Sequence, residues 1–306
     1  MPTHPLILIT GGRGRLASAA REALAAAGMD TRSFSRTAGE GHLALEDLLH
    51  PGVCEDAHAL IHSAWSTVPL VSERDPGCEW HNDFPWLIRL LRHLAEQQTK
   101  RPPHFIFFSS GGTVYGDAPP DQSSCEDSPL RPKGWHGFAK VQAEQLVREA
   151  CTCFNLPCTI LRIANPYGML ATNIRPQGII PILIRCALNG EEFHLWGDGS
   201  AEKDFLHIKD FNSALVTVLT NKITGTFNLC YGRSFSVNTL IHEVERLTSR
   251  KIKVVHGPSP LWDVTASRLD NRAFCKAANW TPRIDFAEGL MDCIQTISQD
   301  QSQLQN

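Results

Sequence analysis

Residues 6–24 read LILITGGRGRLASAAREAL: an apolar run, a cluster of glycines, then an alanine-rich run. The stretch Pro5 to Thr10 carries two isoleucines and no charge, as a central strand of a parallel sheet, buried on both faces, requires. The alanine-rich run from about Leu16 to Ala27 predicts a helix that Gly28 stops. Between them Gly12, Gly14 and Ala17 fit the spacing G-x-G-x-x-G/A, and Gly11 adds the wider three-residue spacing. Glycines at these places permit a tight turn and close approach of a pyrophosphate, which the helix N-terminus then stabilises. Ala17 is the small residue where helix and sheet pack closely. The turn residues Gly11, Gly12, Arg13, Gly14, Arg15 and Leu16 are therefore candidates for holding a dinucleotide.

Further apolar strands follow at Thr31–Phe34, Ala59–His62, Phe105–Ser109 and Cys158–Ile163, with helical runs near Phe84–Gln97 and Gly137–Cys151. Strands alternating with helices of this length predict an α/β fold: a Rossmann-type parallel sheet with helices on both faces. Residues 1–168 are expected to form this dinucleotide-binding core. Residues 169–306 are expected to form mainly a smaller C-terminal substrate-binding region, with segments returning to the main sheet. Helices near Gly178–Leu188, Asp210–Thr220 and Val237–Arg250 and the strand TFNLCY fall there, and the tail Gln299–Asn306 reads as disordered.

The composition narrows the partners. With 29 Lys+Arg against 32 Asp+Glu the formal charge is -3, which supplies no basic field for nucleic acid or an anionic membrane. No apolar stretch nears the ~20 residues that a membrane span needs. The N-terminus MPTHPLILITGG lacks the charged region of a signal peptide, so a cytoplasmic location is expected. Ten cysteines without a CxxC and thirteen histidines without an HExxH predict no metal site, and mostly buried thiols in a reducing compartment.

The end of the second strand bears on the cofactor. An NAD site places an acid there, about 20 residues on, to hold the ribose hydroxyls. Here TRSFSR puts Ser35 and Arg36 in its place, and Asp30 comes too early. An arginine suits a 2′-phosphate, and Arg13 could add charge nearby, so NADP is expected ahead of NAD.

Landmarks along almost the whole chain resemble the extended short-chain dehydrogenase/reductase family, in particular nucleotide-sugar epimerases of the UDP-glucose 4-epimerase type. TGGRG matches the glycine motif, and IHSAW (61–65) is similar to the HLAA segment after the fourth strand. FFSSGGTVYG (107–116) resembles the strand and loop that carry a catalytic hydroxyl, and ILRIANPYG (160–168) resembles LRxxNxYG. WGDGSAEKDFLHIKD (196–210) resembles the GDGxxxRDFxxVxD stretch, and FNLCYGRSFSV and NWTPRIDFAEGL resemble the C-terminal landmarks. The resemblance implies that Ser63, Ala64, Asn165 and Pro166 line the dinucleotide. It also implies that a Tyr in Tyr-x-x-x-Lys moves a hydroxyl proton while hydride passes to the nicotinamide, and that the Lys holds the nicotinamide ribose. Homodimers paired through two helices, here those near Phe84–Gln97 and Gly137–Cys151, are implied as well.

The departures fall at the chemistry. In HGFAK the tyrosine position holds His136, while Lys140 is retained; the usual Ser/Thr position holds Gly111, leaving Ser110 as the nearest hydroxyl. Gly112 and Thr113 stand where 4,6-dehydratases carry an acidic pair, which sets that reaction aside. Towards a substrate, Lys203 replaces the arginine of RDF, an RxxD arginine falls on Pro260, and Arg268 lies nearby; Thr113 and Asn165 are the other candidates. Residues four apart share a helical face, so His136 and Lys140 can face one cleft. Neutral histidine accepts a proton without the large pKa shift that a tyrosine needs. His136, Lys140 and Ser110 are the catalytic candidates. The expected activity is epimerisation of a nucleotide sugar or related hydroxylated substrate through hydride transfer. Keto-reduction with NADPH and a catalytically impaired dinucleotide-binding protein remain the alternatives.

Overall fold

The computed structural model describes residues 4–97, 101–169 and 178–304. Thirteen strands are named in chain order. The first six are β1 (Leu6–Thr10), β2 (Asp30–Ser35), β3 (Leu43–Ala44), β4 (Ala57–His62), β5 (His104–Ser110) and β6 (Cys158–Ile163). They are followed by β7 (Asn165–Tyr167), β8 (Glu192–Trp196), β9 (Glu202–His207), β10 (Gly225–Leu229), β11 (Ser234–Ser236), β12 (Lys253–Gly257) and β13 (Ala266–Ser267). Seven of them form one sheet in the order β10-β6-β5-β4-β1-β2-β3, and every neighbouring pair is parallel.

The α-helices through the sixth are α1 (Arg15–Ala26), α2 (Pro69–Arg74), α3 (Cys78–Asn82), α4 (Phe84–Glu96), α5 (Gly111–Val114) and α6 (Trp135–Cys153). The remainder are α7 (Ile179–Asn189), α8 (Ile208–Asn221), α9 (Val237–Thr248), α10 (Arg272–Ala278) and α11 (Phe286–Leu304). Alternation within β1 shows why both sheet faces are covered. Ile7 and Ile9 point into a core with Ala17, Ala20 and Leu24 of α1 and Phe211, Leu215 and Val218 of α8. Leu8 points the other way, into a core with Leu87, Leu90 and Leu94 of α4 and Ala139, Ala143 and Val147 of α6. A third core joins α7, α9 and α11 around Leu183, Leu240, Phe286 and Leu290, against β9 and β11. There β9 pairs with β7, β11 and β13, and β8 pairs with β12. Of the chain beyond residue 168, α8 and β10 run back to the main sheet.

Strand order reverses between β2-β1 and β1-β4, which opens a crevice at the carboxyl ends of β1 and β4. Thr10 and His62 face each other there in register, and an Oγ1–Nδ1 hydrogen bond of 2.8 Å joins them.

One local expectation needs correction. The tail read as disordered from Gln299 is helical through Leu304; residues 305–306 lie outside the described residues. Leu290, Cys293, Ile294 and Ile297 keep a helical period on the third core, and the polar turns simply continue it. The short helices α2 and α3, of six and five residues, fall below the length at which periodicity can be read.

Candidate active site

Gly14 caps α1 without any side-chain hydrogen bond, so the N–H groups of the first turn have no side-chain cap at the mouth of the crevice. The turn is tight: the Gly14 amide donates to Gly11 O at 2.7 Å. Gly11 has φ +73, and a Cβ on it would lie 2.7 Å from Ala64 N; one on Gly12 would lie 2.3 Å from Ser33 Oγ. These glycines let the turn press onto the ends of β2 and β4. Ser63 and Ala64 flank it half-buried, and Ala64 N–H donates to Thr10 Oγ1 at 3.3 Å. Leu16 packs on the core beneath, and Arg15 lines a small cavity with Pro166, Tyr167 and Cys293. An uncapped helix terminus behind a glycine turn fits the pyrophosphate of a dinucleotide.

At the end of β2, Ser35 is buried and its Oγ has no partner among the described residues, while Arg36 is exposed. Arg13 donates to Gly39 O at 3.4 Å and lies 3.9 Å from the Glu40 carboxylate. These contacts turn the exposed Arg13 guanidinium towards Gly39 and Glu40.

The other end of the crevice is built by the first turns of α6. His136 and Lys140 lie on one face of this helix, 8% and 6% exposed. The Lys140 ammonium donates to Phe108 O at 2.9 Å and sits 3.8 Å from the Trp65 ring and 4.9 Å from that of Phe107. Burial lowers its pKa to about 7, against the pull of Asp83, Glu144 and Glu79. Trp65 stands at the second alanine position of HLAA, and its indole covers the ammonium. Burial and then the Lys140 charge push His136 down to about 3, so its imidazole is neutral.

His136 Nδ1 lies 3.1 Å from Thr67 Oγ1, whose hydroxyl donates to Glu79 Oε1 at 2.6 Å. Ser72 Oγ also donates to Oε1, and Cys78 Sγ to Oε2 at 3.5 Å. These donors hold the fully buried Glu79 below the usual carboxylate range despite its desolvation. Asp83 accepts from Ser66 N at 2.8 Å and Ser66 Oγ at 2.6 Å. Thr67, Glu79, Asp83 and Trp65 did not come out of the sequence reading. The available signal was their origin between residues 65 and 83, directly after the strand end at the switch point.

The remaining candidates divide. Ser110 ends β5 half-buried, one residue before Gly111. A Cβ at Gly111 would lie 2.8 Å from Leu269 Cδ1 and 2.9 Å from Arg162 O, so no hydroxyl side chain fits there without movement. Thr113 Oγ1 is buried without a partner among the described residues. Asn165 donates to Asp204 O at 2.9 Å beside Gly112, and Pro166 follows in β7. Lys203 and Arg268 lie on or beside neighbouring strands β9 and β13, each already engaged. Lys203 binds Asp263 at 2.9 Å and Val264 O, and Arg268 binds Glu202 and the carbonyls of Pro119 and Gln122. Tyr115 donates to Asn228 and accepts from the buried Arg162, and burial raises it to about 12.

A doubly wound parallel sheet with a glycine turn at its switch point and a Lys-bearing helix beside it defines a Rossmann-type dinucleotide-binding protein. A sequence profile of the NAD dependent epimerase/dehydratase family matches residues 7–230, well over half of the chain. The chain belongs to that family. It is 28% identical over 191 residues to the UDP-glucose 4-epimerase of Mycolicibacterium smegmatis, covering 62% of this chain and 61% of that one. It is 28% identical over 239 residues to the dTDP-4-dehydro-6-deoxyglucose reductase of Escherichia coli, covering 78% and 74%. The matched stretch is thus under two thirds of the first relative's length. The UDP-glucose 4-epimerase structure from Thermotoga maritima superposes with a TM-score of 0.86 at 24% identity, over 97% and 99% of the two chains.

The expected preference for NADP is overturned. The structure of MoeE5 in complex with UDP-glucose and NAD, 25% identical with a TM-score of 0.80 over 96% and 99% of the chains, holds NAD. The physical reason for the misreading lies in Arg13, which is turned to Gly39 O and Glu40 and forms no fork with Arg36. Among the described residues, no helix is long and apolar enough to cross a membrane.

Proposed function

We propose that the protein is an NAD-dependent epimerase of a nucleotide sugar, with His136 as the group that takes and returns the substrate hydroxyl proton. The observation that carries this reading is a neutral, buried imidazole four residues before Lys140, whose ammonium reaches Phe108 O and the Trp65 ring. A bound NAD would accept and return hydride at the hydroxyl-bearing carbon. The turn Gly11–Leu16 with Ser63, Ala64, Asn165 and Pro166 would hold it, and Ser35 and Arg36 would lie towards its adenosine ribose. Lys140, sharing its ammonium between Phe108 O and the Trp65 face, keeps one N–H for a ribose or substrate oxygen. Its charge also disfavours the imidazolium, which speeds proton return. Ser110 and Thr113 offer hydroxyls to the sugar, and Lys203 and Arg268 sit on the strands that would face the diphosphate.

The likeness to the E. coli reductase supports a second reading, reduction of a keto-sugar nucleotide. One assay separates the two. The purified protein is offered UDP-glucose and UDP-galactose with NAD, and dTDP-4-keto-6-deoxyglucose with NADH, and products are followed by NMR. Epimerisation without net change in NADH is expected for the first reading, and stoichiometric NADH consumption for the second. His136→Ala is expected to lower kcat by at least about 100-fold, as removal of a general base does; turnover equal to the parent overturns the role of His136.

We further infer a homodimer through α4 and α6, where Ile88 and Phe138 are 43% and 44% exposed. Light scattering is expected to give twice the 33.9 kDa chain mass. Ten free thiols support a reducing, cytoplasmic location.

A further inference from the structure

An imidazole has two nitrogens, and a base that must present one of them needs something to hold the proton on the other. A phenol has no such requirement, so a histidine at this position calls for a partner that the tyrosine arrangement does without. Thr67 and Glu79 supply it. Glu79, fully buried, is acceptor-only as a carboxylate, and it takes the hydroxyl protons of both Thr67 and Ser72. The Thr67 oxygen has then spent its single proton on Glu79 and can only accept. The 3.1 Å contact with His136 must run from Nδ1–H to Thr67 Oγ1. The lone pair is left on Nε2, which has no partner among the described residues.

We propose that Thr67 and Glu79 are positioning residues that fix His136 as the Nδ1–H tautomer, aim Nε2 at the substrate hydroxyl, and hold the imidazolium formed on proton transfer. This rests on the reading of His136 as the proton-transferring group. In the step, the hydroxyl O–H bond would break and its proton bond to Nε2, and the O–H electron pair would become the second C–O bond; a nicotinamide dinucleotide held at the glycine turn would supply the acceptor for the carbinol hydride. The new charge is spread through Nδ1–H and the Thr67 hydroxyl towards the Glu79 carboxylate, which is the nearest fixed counter-charge on that side of the ring. The three groups come from separate places: the loop after β4, helix α3 and the first turn of α6. Thr67 is only 8% exposed, so water does not compete for its oxygen.

The test reads the tautomer first. Protein labelled with 15N-histidine, with no substrate added, is compared with His136→Gln to assign the ring signals. A protonated Nδ1 and an unprotonated Nε2 at pH 7 are expected. A protonated Nε2 overturns the proposal. Thr67→Val is expected to give mixed tautomers and to lower kcat about 10- to 100-fold with KM nearly unchanged, while Thr67→Ser keeps the tautomer and stays within about threefold of the parent. A Thr67→Val protein that keeps both the tautomer and kcat overturns it equally. The spectra need no turnover, so a correct tautomer in a protein that epimerises nothing marks the failure of the proposed function alone.

Discussion

Lys140 shows what a buried ammonium costs at the scale of a single side chain. Its ammonium is enclosed by Trp65, Phe107 and the Phe108 carbonyl, and burial brings its pKa to about 7, against about 10.4 in an unfolded chain. The unfolded chain therefore binds a proton between pH 7 and 10.4 that the native protein does not, and the penalty is complete below pH 7. Lys140→Met is expected to stabilise the protein at pH 7 by on the order of 2 kcal/mol, after subtraction of the lost bond to Phe108, and to abolish turnover. Urea midpoints and an activity assay on the same preparation check both halves, and a destabilised variant would count against the enclosed ammonium. Gly111 makes the opposite point. The resemblance marks it as a missing hydroxyl, whereas Leu269 and the Arg162 carbonyl leave no room for one.

At the scale of elements, α6 does two jobs on one helix. Its first turns present His136 and Lys140. One turn on, Glu144 pins the helix to β6 through Arg162, with Nη2–Oε2 at 2.7 Å and both side chains essentially unexposed. Ser109 of β5 donates to the same carboxylate at 2.6 Å, and Arg148 adds a second guanidinium. Glu144→Gln leaves Arg162 as an uncompensated buried charge and is expected to cost about 3–5 kcal/mol in denaturant unfolding. Glu96→Gln, which removes the exposed partner of Arg92 at 3.6 Å, is expected to leave the midpoint unchanged. Much of this level was legible in the chain itself. LILITGGRGRL carries its strand, turn and helix in local order, and the apolar rhythm of FPWLIRLLRHL fixes which face of α4 is buried. The meeting of Thr67 and Glu79 with His136 was not, because residues 12 and 69 positions apart meet only after the sheet is assembled. No periodicity records such a meeting.

For the whole molecule, three of the four buried histidines among the described residues carry most of the acid dependence. Burial lowers His62 and His136 to about 3 and His104 to about 4, so each is neutral in the native protein and takes up a proton on unfolding below about pH 6.5. Asp204 works against them: burial raises it to about 7, so the native state holds a proton there that the unfolded chain releases above about pH 4. Between pH 4 and 6 these four groups leave a net excess of about two protons on the unfolded chain, a slope of about 2.7 kcal/mol per pH unit. Unfolding free energies at pH 6 and 5 are expected to fall on a slope of that order, and a flat profile would contradict the burial of these rings. The path of the chain has a consequence of another kind. Strand β10 joins β6 only after the polypeptide has passed through β7, α7, β8, β9 and α8. While a ribosome is still delivering that detour, β6 stands as an unpaired edge with its hydrogen-bonding groups open to any neighbouring strand. Until residue 229 emerges, that open edge is a site for aggregation that a chaperone would have to cover.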